Sequence, residues 1–342
     1  MKSCNPALPI AIAVAVATAP SLGYGQSVAD FYSGKQVKLA LGTDPGGDYD
    51  QGGRLLARYI GRHIPGNPTV IAQNMPGATG VVVANYLYNV APKDGSVFGG
   101  FSRNIPSRAV RGIKNFRADL RRFGWVGGTS HQARLCVALT SSPFKTIDDL
   151  FTIPLTVGSN GPGSVLHIIP NALNNIIGTK FNVIAGYKGI ADVTIALRRG
   201  EVDGVCHLAD YFLEGSNRDL LTEGKIRILF TAEQMPLRGH PDIPSIFDRI
   251  KNEKDRQIVA LLLSGTEFGR PYTFPPDVPA DRLAAVRRAF ADTVKDTEFL
   301  AAAEKQRLDM TYIPHDVMEK RIKDLYALPK DVLDRADEVE SN

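Results

Sequence analysis

Short apolar runs alternate with amphipathic stretches along the first third of the chain, and this alternation predicts strands separated by helices. The predicted strands are residues 37–41, 69–73 and 97–101, and the predicted helices are residues 53–63 and 81–90. Strands that are joined through helices are connected by right-handed crossovers within one sheet. The pattern therefore predicts an α/β lobe with a mostly parallel sheet flanked by helices.

The alternation restarts near residue 134 and predicts a second lobe of the same class. Its predicted strands are residues 134–139, 155–158, 181–185 and 204–208. One predicted helix begins at Thr146, a second begins at Ser164, and a third covers residues 191–199. Residues 225–231 form a candidate segment that crosses back to the first lobe. Three later helical patterns would brace the first lobe, at residues 281–295, 296–307 and 314–326.

The first 25 residues have the features of a secretory signal peptide. Lys2 provides a positive charge, residues 8–19 are apolar, and Gly23-Tyr24-Gly25 forms a small-x-small cleavage site. The apolar stretch is shorter than the roughly 20 residues that span a bilayer. We therefore expect cleavage near Gly25, export to the periplasm and a soluble mature protein. The mature chain would divide into lobe 1, residues 26–130 with 232–342, and lobe 2, residues 131–231.

The composition is that of an ordinary soluble protein, with 44% apolar and 22% charged residues. The net charge of +4 arises from 40 basic and 36 acidic residues, and the basic residues occur in no run longer than a pair. A nucleic-acid binder would concentrate this charge in a patch, so we exclude nucleic acid as a partner. Cys136 and Cys206 lie in apolar, strand-like runs, and we expect two buried, unpaired cysteines there.

Signatures of catalysis and of metal binding are missing from the sequence. It contains no G-x-S-x-G or H-E-x-x-H motif, and its six histidines never recur at the i, i+4 spacing of a helical metal site. Residues 42–48 do not fit the dinucleotide-binding fingerprint that would follow a first strand. We therefore expect no cofactor, no metal and no enzymatic activity.

Two glycine-rich loops each connect a predicted strand to a predicted helix, at residues 42–50 and 158–164. The first N–H groups of a helix have no partner inside the helix, and the helix macrodipole adds partial positive charge there. Such a junction binds anions, typically a carboxylate or a phosphate. Since both loops follow strand ends, we expect them to face one ligand in the crevice between the lobes.

Several side chains near these strand ends are candidates for contact with the ligand. They are Thr43, Asp44 and Tyr49 in the first loop, Ser102 and Arg103 after the third strand, and Tyr187 and Asp210 in the second lobe. Arg103 would either clamp a carboxylate or lie at the surface. Tyr49 would either wall the ligand or pack on the second lobe. Asp50 would either orient the first loop or cap the helix, and His131 would pack at the hinge.

The order of these motifs resembles that of the periplasmic solute-binding proteins of tripartite tricarboxylate transporters, the Bug or TctC family. The resemblance covers about residues 30–334. It rests on seven motifs, which are Pro45-Gly46-Gly47 with Tyr49-Asp50, residues 57–68, 73–77, 84–95, 158–164, 187–189 and 200–204. Each motif alone is weak, whereas their common order is specific.

The resemblance implies a type II periplasmic-binding-protein fold, in which two lobes joined by two crossings close on a ligand like a Venus flytrap. It implies that a small organic acid is held largely by backbone amides, hydroxyls and ordered water, and is delivered to integral-membrane transporter subunits. The implied contacts are Gly46 and Gly47 in the first loop, Ser159, Asn160, Gly163 and Ser164 in the second, and Pro76, Gly77 and Ala78 as the floor. It also places the strands of Cys136 and Cys206 side by side, where a disulfide or a free pair would fit, and we expect the free pair.

Two features depart from the family pattern. Asp44 adds a negative charge before the Pro-Gly-Gly, which lowers affinity for a carboxylate unless it is turned away, protonated or paired with a cationic group of the ligand. Gly52-Gly53 replaces better helix formers, at a cost of roughly 1 kcal/mol per glycine.

The sequence also leaves two other functions open. One is an exported α/β enzyme that acts on a carboxylate, with Asp44, Asp48 or Asp210 as the acid or base. The other is a sensor that passes closure of the lobes to a membrane kinase.

Overall fold

The computed structural model describes residues 1, 26–130, 132–162, 164–210, 217–234, 237 and 240–341. The sequence predictions for the signal peptide, for His131 and for Gly163 therefore lie outside the described residues, apart from Met1. Two five-stranded sheets, each flanked by helices, define two lobes.

The first sheet has the strand order β2-β1-β3-β10-β4. Its strands are β1 Gln36–Leu41, β2 Thr69–Asn74, β3 Val97–Gly100, β4 Gly124–Thr129 and β10 Arg270–Phe274. Strand β1 pairs in parallel with both β2 and β3, whereas β10 is antiparallel to β3 and to β4. The helices of this lobe cover both faces, because its apolar side chains form one core cluster on each side of the sheet.

The second sheet has the equivalent order β7-β6-β8-β5-β9. Its strands are β5 Arg134–Leu139, β6 Leu155–Gly158, β7 Phe181–Ile184, β8 Gly204–Ala209 and β9 Ile226–Thr231. Strand β6 pairs in parallel with β7 and β8, and β5 is antiparallel to β8 and β9. The segment predicted to cross back to the first lobe is thus the edge strand β9.

Each sheet is mixed, since three adjacent parallel strands are followed by two strands in antiparallel pairing, of which only the inner one runs opposite to the first three. The antiparallel strands are those at which the chain enters or leaves a lobe, so they come from distant parts of the sequence. Two of them, β4 and β10, did not stand out as strands because their sequences, GWVGGT and RPYTF, lack both an apolar run and a clean alternation.

The predicted helices are present in the predicted order, the one at Thr146 as the 3-10 helix Ile147–Phe151, and further helices that were not predicted lie among them. In the first part of the chain the α-helices are α1 Val28–Tyr32, α2 Asp48–Ile60, α3 Val81–Asn89 and α4 Ile105–Val110. The middle part contains α5 Val165–Ile177, α6 Ile190–Arg199, α7 Arg218–Thr222, α8 Glu253–Leu263 and α9 Gly265–Phe268. The C-terminal part contains α10 Ala280–Thr293, α11 Thr297–Lys305, α12 His315–Tyr326 and α13 Lys330–Ser341. Among the described residues, none of these helices is both long and apolar enough to cross a bilayer.

Helix α2 begins at Asp48, five residues before the predicted start. Its two glycines, which cost helix propensity, lie where the helix comes closest to side chains of the sheet. A Cβ at Gly53 would lie 2.5 Å from Leu41 Cδ2 on β1, and a Cβ at Gly52 would lie 3.2 Å from Arg270 Cδ on β10. Small residues at these two positions therefore let α2 approach the sheet closely.

Helix α8 packs against both lobes. Ile258 and Leu261 belong to a core cluster of the first lobe, whereas Val259 and Leu263 belong to a core cluster of the second. The segment that returns to the first lobe is therefore anchored on both sides.

Cys136 and Cys206 form a disulfide between β5 and β8, so the expectation of two free cysteines is wrong. The reason is a bulge at His207: Leu135 pairs with Leu208, but Cys136 pairs with Cys206, and His207 is skipped. Without the bulge, Cys136 would face His207. The bulge brings the two sulfur atoms to the same face of the sheet, with the Cα atoms 4.0 Å apart.

Candidate functional site

A cavity of about 550 Å³ opens at the carboxyl edge of the first sheet. This volume suits a small organic ligand. Its walls come from the ends of β1, β3 and β10 and from the turn before α3. The lining residues are Leu41, Gly42, Thr43, Asp44, Tyr49, Pro76, Gly77, Ala78, Thr79, Gly100, Phe101, Ser102, Arg270, Pro271 and Tyr272. All of them belong to the first lobe.

The topology explains why these residues meet. Parallel strands β1 and β3 end at the same edge, and the antiparallel strand β10 begins there, with Tyr272 paired to Gly100. Burial raises the pKa of Tyr272 to about 12, so its hydroxyl stays protonated at neutral pH.

Asp50 holds the first glycine-rich loop in place. Its carboxylate accepts hydrogen bonds from Gly46 N at 2.8 Å, from Asn74 Nδ2 at 2.8 Å and from Arg54 Nε at 2.9 Å. Burial raises the pKa of Asp50, but the hydrogen bonds from Arg54, Gly46 and Asn74 outweigh this effect and hold the pKa below its usual value. Of the two roles predicted for Asp50, the structure supports orientation of the loop, because the residue before the helix is Gly47.

The Gly46 N–H is engaged by this bond and is therefore not a free donor for an anion while Asp50 is ionised. Gly46 has φ 89°, a left-handed conformation that favours glycine. Neither Gly46 nor Gly47 lines the cavity. Their place in the site is thus to shape the loop that carries Thr43, Asp44 and Tyr49.

Arg270 is a buried cation beneath the start of α2, and sequence reasoning missed it. Its guanidinium donates two hydrogen bonds to the Asp48 carboxylate, at 2.9 and 2.5 Å, and one to the backbone oxygen of Asp309 at 2.7 Å. The Arg270 side chain is 2% exposed, whereas that of Asp48 is 50% exposed. Bidentate pairing of this kind fixes geometry as well as charge. It ties the first turn of α2 to β10 across the cavity wall.

The floor of the cavity has an unusual backbone. Gly77, Ala78, Thr79 and Gly80 all have positive φ, at 139°, 45°, 56° and 99°. Positive φ at non-glycine residues such as Ala78 and Thr79 is sparsely populated and carries strain. This turn leads directly into α3, so its N–H groups belong to a helix start.

Arg103 lies behind Tyr49. Its backbone N and its Nε both donate to the Tyr49 hydroxyl, at 3.1 and 3.0 Å. Tyr49 lines the cavity, as one of its two predicted roles requires, and the half-buried Arg103 does not.

The polar side chains of the second glycine-rich loop form hydrogen bonds within the loop and with its neighbours. The fully buried Ser159 accepts from Gly161 N at 2.9 Å, and its hydroxyl lies 3.1 Å from His167 Nδ1. Asn160 donates to the Lys188 backbone oxygen and accepts from Ser164.

The cavity therefore gathers about half of the residues predicted for the site. Those that line it are Thr43, Asp44, Tyr49, Pro76, Gly77, Ala78 and Ser102. Those described outside the lining are Gly46, Gly47, Arg103, Ser159, Asn160, Ser164, Tyr187 and Asp210. Of the three acidic residues considered for catalysis, only Asp44 lines the cavity. Asp48 is paired with Arg270, and Asp210 lies in the second lobe. Pro271 and Tyr272, like Arg270, were missed because β10 was not recognised.

Comparison with known protein families gives a match over most of the chain. The family model described as tripartite tricarboxylate transporter family receptor, TctC, matches residues 57–324. A protein from Cupriavidus necator, described as UPF0065 protein in gbd 5'region, is 27% identical over 227 residues. That match covers 65% of this chain and 66% of the relative, slightly less than two thirds of its length.

Solved structures share the fold. A TctC solute-binding protein from Polaromonas superposes with a TM-score of 0.70 at 17% identity, and the match covers 89% of this chain and 99% of that one. A Rhodopseudomonas palustris protein solved with adipate has a TM-score of 0.54 at 18% identity, over 89% of this chain and 98% of that one. The two-lobe fold predicted for this chain is thereby confirmed.

Proposed function

The chain belongs to the tripartite tricarboxylate transporter receptor family, and from that premise we propose that its first-lobe cavity binds a carboxylate of a small organic acid. Its role is that of a solute-binding receptor, and the family consists of receptors and not of enzymes. The observation that supports the cavity as the site is the convergence of three strand ends on one concave surface with hydroxyl groups and a buried cation.

The lining offers complementary donors for a carboxylate. Thr43 and Ser102 carry hydroxyls, and each can donate a hydrogen bond. Arg270 adds positive charge, although the Asp48 carboxylate compensates it. Asp44 is exposed and lies at the cavity, so repulsion places the carboxylate of the ligand away from it and towards Ser102.

The second lobe completes the site when the cleft closes. Its glycine-rich loop, with Ser159, Asn160 and Ser164, follows the carboxyl end of β6, which is the edge where ligands bind in such folds. Closure would occur by rotation about the two crossings between β4 and β5 and between β9 and β10. A ligand that touches both lobes favours the closed state, because it binds that state more tightly.

We further propose that the protein acts in the periplasm after cleavage near Gly25 and delivers its ligand to membrane subunits of a transporter. The family supports this assignment. Neighbouring genes for one large and one small membrane subunit would favour transport, whereas a neighbouring membrane kinase gene would favour sensing.

Native mass spectrometry of the purified protein, followed by thermal-shift assays with succinate, glutarate, adipate and hexanoate, tests the proposal. We expect a carboxylate to raise the melting temperature and to be recovered chemically unchanged. Turnover of the added acid would identify an enzyme instead, and the absence of any stabilisation by carboxylates would overturn carboxylate binding.

A further inference from the structure

Helix α13 packs against both lobes. Its buried residues Val332 and Ala336 belong to a core cluster of the first lobe, together with Met318 and Ile322 of α12. The same helix packs against α8 and against α5 of the second lobe. Ile176, near the C-terminal end of α5, packs against this cluster and also against a core cluster of the second lobe. A rotation of the second lobe relative to the first must therefore change the contacts of α13.

Ion pairs hold both ends of α13. Near its start, Asp331 pairs with Lys254 Nζ of α8 at 2.6 Å. Near its end, Asp337 and Glu340 both accept from Nη1 of Arg111, the residue that follows α4 in the first lobe, and the bond to Asp337 is 3.0 Å long. The Arg111 side chain is 12% exposed, whereas those of Asp337 and Glu340 are 52% and 37% exposed. Because the two carboxylates reach solvent, dissolved salt weakens these pairs.

The pairs at the end of α13 lie next to the floor of the ligand cavity. A second cavity, of about 400 Å³, is lined by Arg111, Asp337 and Glu340, and it shares Ala78 and Thr79 with the first. The two shared residues have positive φ, at 45° and 56°, in the strained turn before α3. A displacement of the end of α13 would therefore change the packing behind this turn.

Helix α5 connects α13 to the second glycine-rich loop. Its N-cap is Ser164, the last residue of that loop, and its 13 residues make it about 20 Å long. The contact at Ile176 is therefore at the end of α5 that is remote from the loop. In the described structure the ligand cavity is lined by the first lobe alone, so the second lobe has not closed over it. A rotation that carries the loop end of α5 towards the first lobe would move the opposite end away from α13.

We propose that α13 is a strap that stabilises the open arrangement of the lobes, and that the ion pairs of Arg111 with Asp337 and Glu340 set its strength. A contact that is made in only one of two states shifts the equilibrium towards that state. Weakening these pairs therefore raises the population of the closed state, and with it the apparent affinity for the ligand. This inference rests on the proposed function, because the ligand is what drives closure, and it adds a dependence on ionic strength.

The test is isothermal titration with adipate of the wild type and of the double variant Asp337→Asn with Glu340→Gln, at about 0.02 M and about 0.5 M sodium chloride. At low salt we expect the double variant to bind adipate about threefold to fivefold more tightly, because it lacks both pairs. At high salt this advantage should shrink to less than about twofold, because salt screens the same pairs in the wild type.

The matched control is Asp324→Asn with Asp334→Asn. It also removes two carboxylates, but these pair with Lys320 and Lys330 of their own helices. The control should bind adipate as the wild type does at both salt concentrations. Hydrogen exchange gives a second readout: the amides of α13 should exchange faster in wild-type protein saturated with adipate, although no residue of α13 lines the ligand cavity.

Thermal melts identify any variant that fails to fold, and Arg111→Gln, which removes the shared donor, then replaces the double variant with the same expected direction. The inference is overturned by unchanged or weaker adipate binding in the variant, by an equal gain in the control, or by α13 amides that do not exchange faster with adipate. Each of these results leaves the receptor function standing. If the wild-type protein binds none of the carboxylates in the panel, the proposed function fails and the inference fails with it.

Discussion

The two glycine-rich loops have nearly the same local sequence pattern but different roles in the molecule. The loop from Gly42 to Gly47 walls a cavity and is held from outside by Asp50 and Arg54, so its inner face is available. The loop from Gly158 to Ser164 instead uses Ser159 and Asn160 to bond its own backbone and its neighbours. Under the proposed function, the cavity of the first lobe is a preformed seat for the ligand, and the second lobe is the partner that closes on it.

The largest expected effect concerns the lobe without the cavity. Replacing both Cys136 and Cys206 with alanine removes a covalent link between positions that are 70 residues apart, and we expect a loss of about 4 kcal/mol in the free energy of unfolding. Denaturant melts measure it. Because the seat lies in the other lobe, affinity for a carboxylate should change little. A double variant as stable as the wild type would contradict the disulfide.

Within the first lobe, Arg270→Met should have the next largest effect. It leaves the Asp48 carboxylate and the Asp309 backbone oxygen without their donor, which costs only about 2 kcal/mol because Asp48 is half exposed. Denaturant melts and carboxylate titrations check this expectation. Asp48→Asn keeps the shape but leaves the buried Arg270 guanidinium without its counter-ion, so it should cost a similar amount. If both variants retain full stability and full affinity, the ion pair of Arg270 with Asp48 does not stabilise the cavity.

Asp50→Asn should destabilise the protein by about 1 kcal/mol near neutral pH, since the Gly46 and Arg54 bonds lose their charged acceptor. The pKa of Asp50 is lowered in the folded state, so its contribution is complete above the ordinary pKa and is lost as the pH falls through the folded pKa. The difference in stability between wild type and variant should therefore shrink below about pH 4. A difference that stays constant with pH would contradict the role of the charge.

The smallest expected effects are those of two serine variants, one at the cavity of the first lobe and one in the second glycine-rich loop. Ser102→Ala should weaken carboxylate binding about fivefold with little change in melting temperature, because Ser102 lines the cavity. Ser159→Ala should lower the melting temperature and leave the affinity nearly unchanged, since Ser159 bonds within its own loop. The opposite outcome would indicate that the carboxylate binds mainly to the second lobe.

The order of strands and helices was predictable because most elements are either apolar runs or amphipathic stretches. The strand-to-helix loops, and Thr43, Tyr49 and Ser102 within the site, followed from the position of strand ends. Arg270 was not predictable, because its place beside Asp48 depends on β10 returning antiparallel to the sheet from a remote part of the chain.

The register of the strands could not be predicted from the sequence either. The disulfide depends on one bulged residue, His207, that shifts the pairing by one position. Nothing in an apolar run such as residues 204–209 marks where such a bulge falls.

The most direct measurement follows the backbone amide signals of the labelled protein by NMR during a titration with adipate. If the seat is preformed on the first lobe, the signals of Thr43, Ala78 and Ser102 should shift and saturate with adipate, and those of the second loop should follow the same saturation curve as the cleft closes. Saturable shifts confined to residues 158–164, with no response from the first-lobe cavity, would contradict a preformed seat.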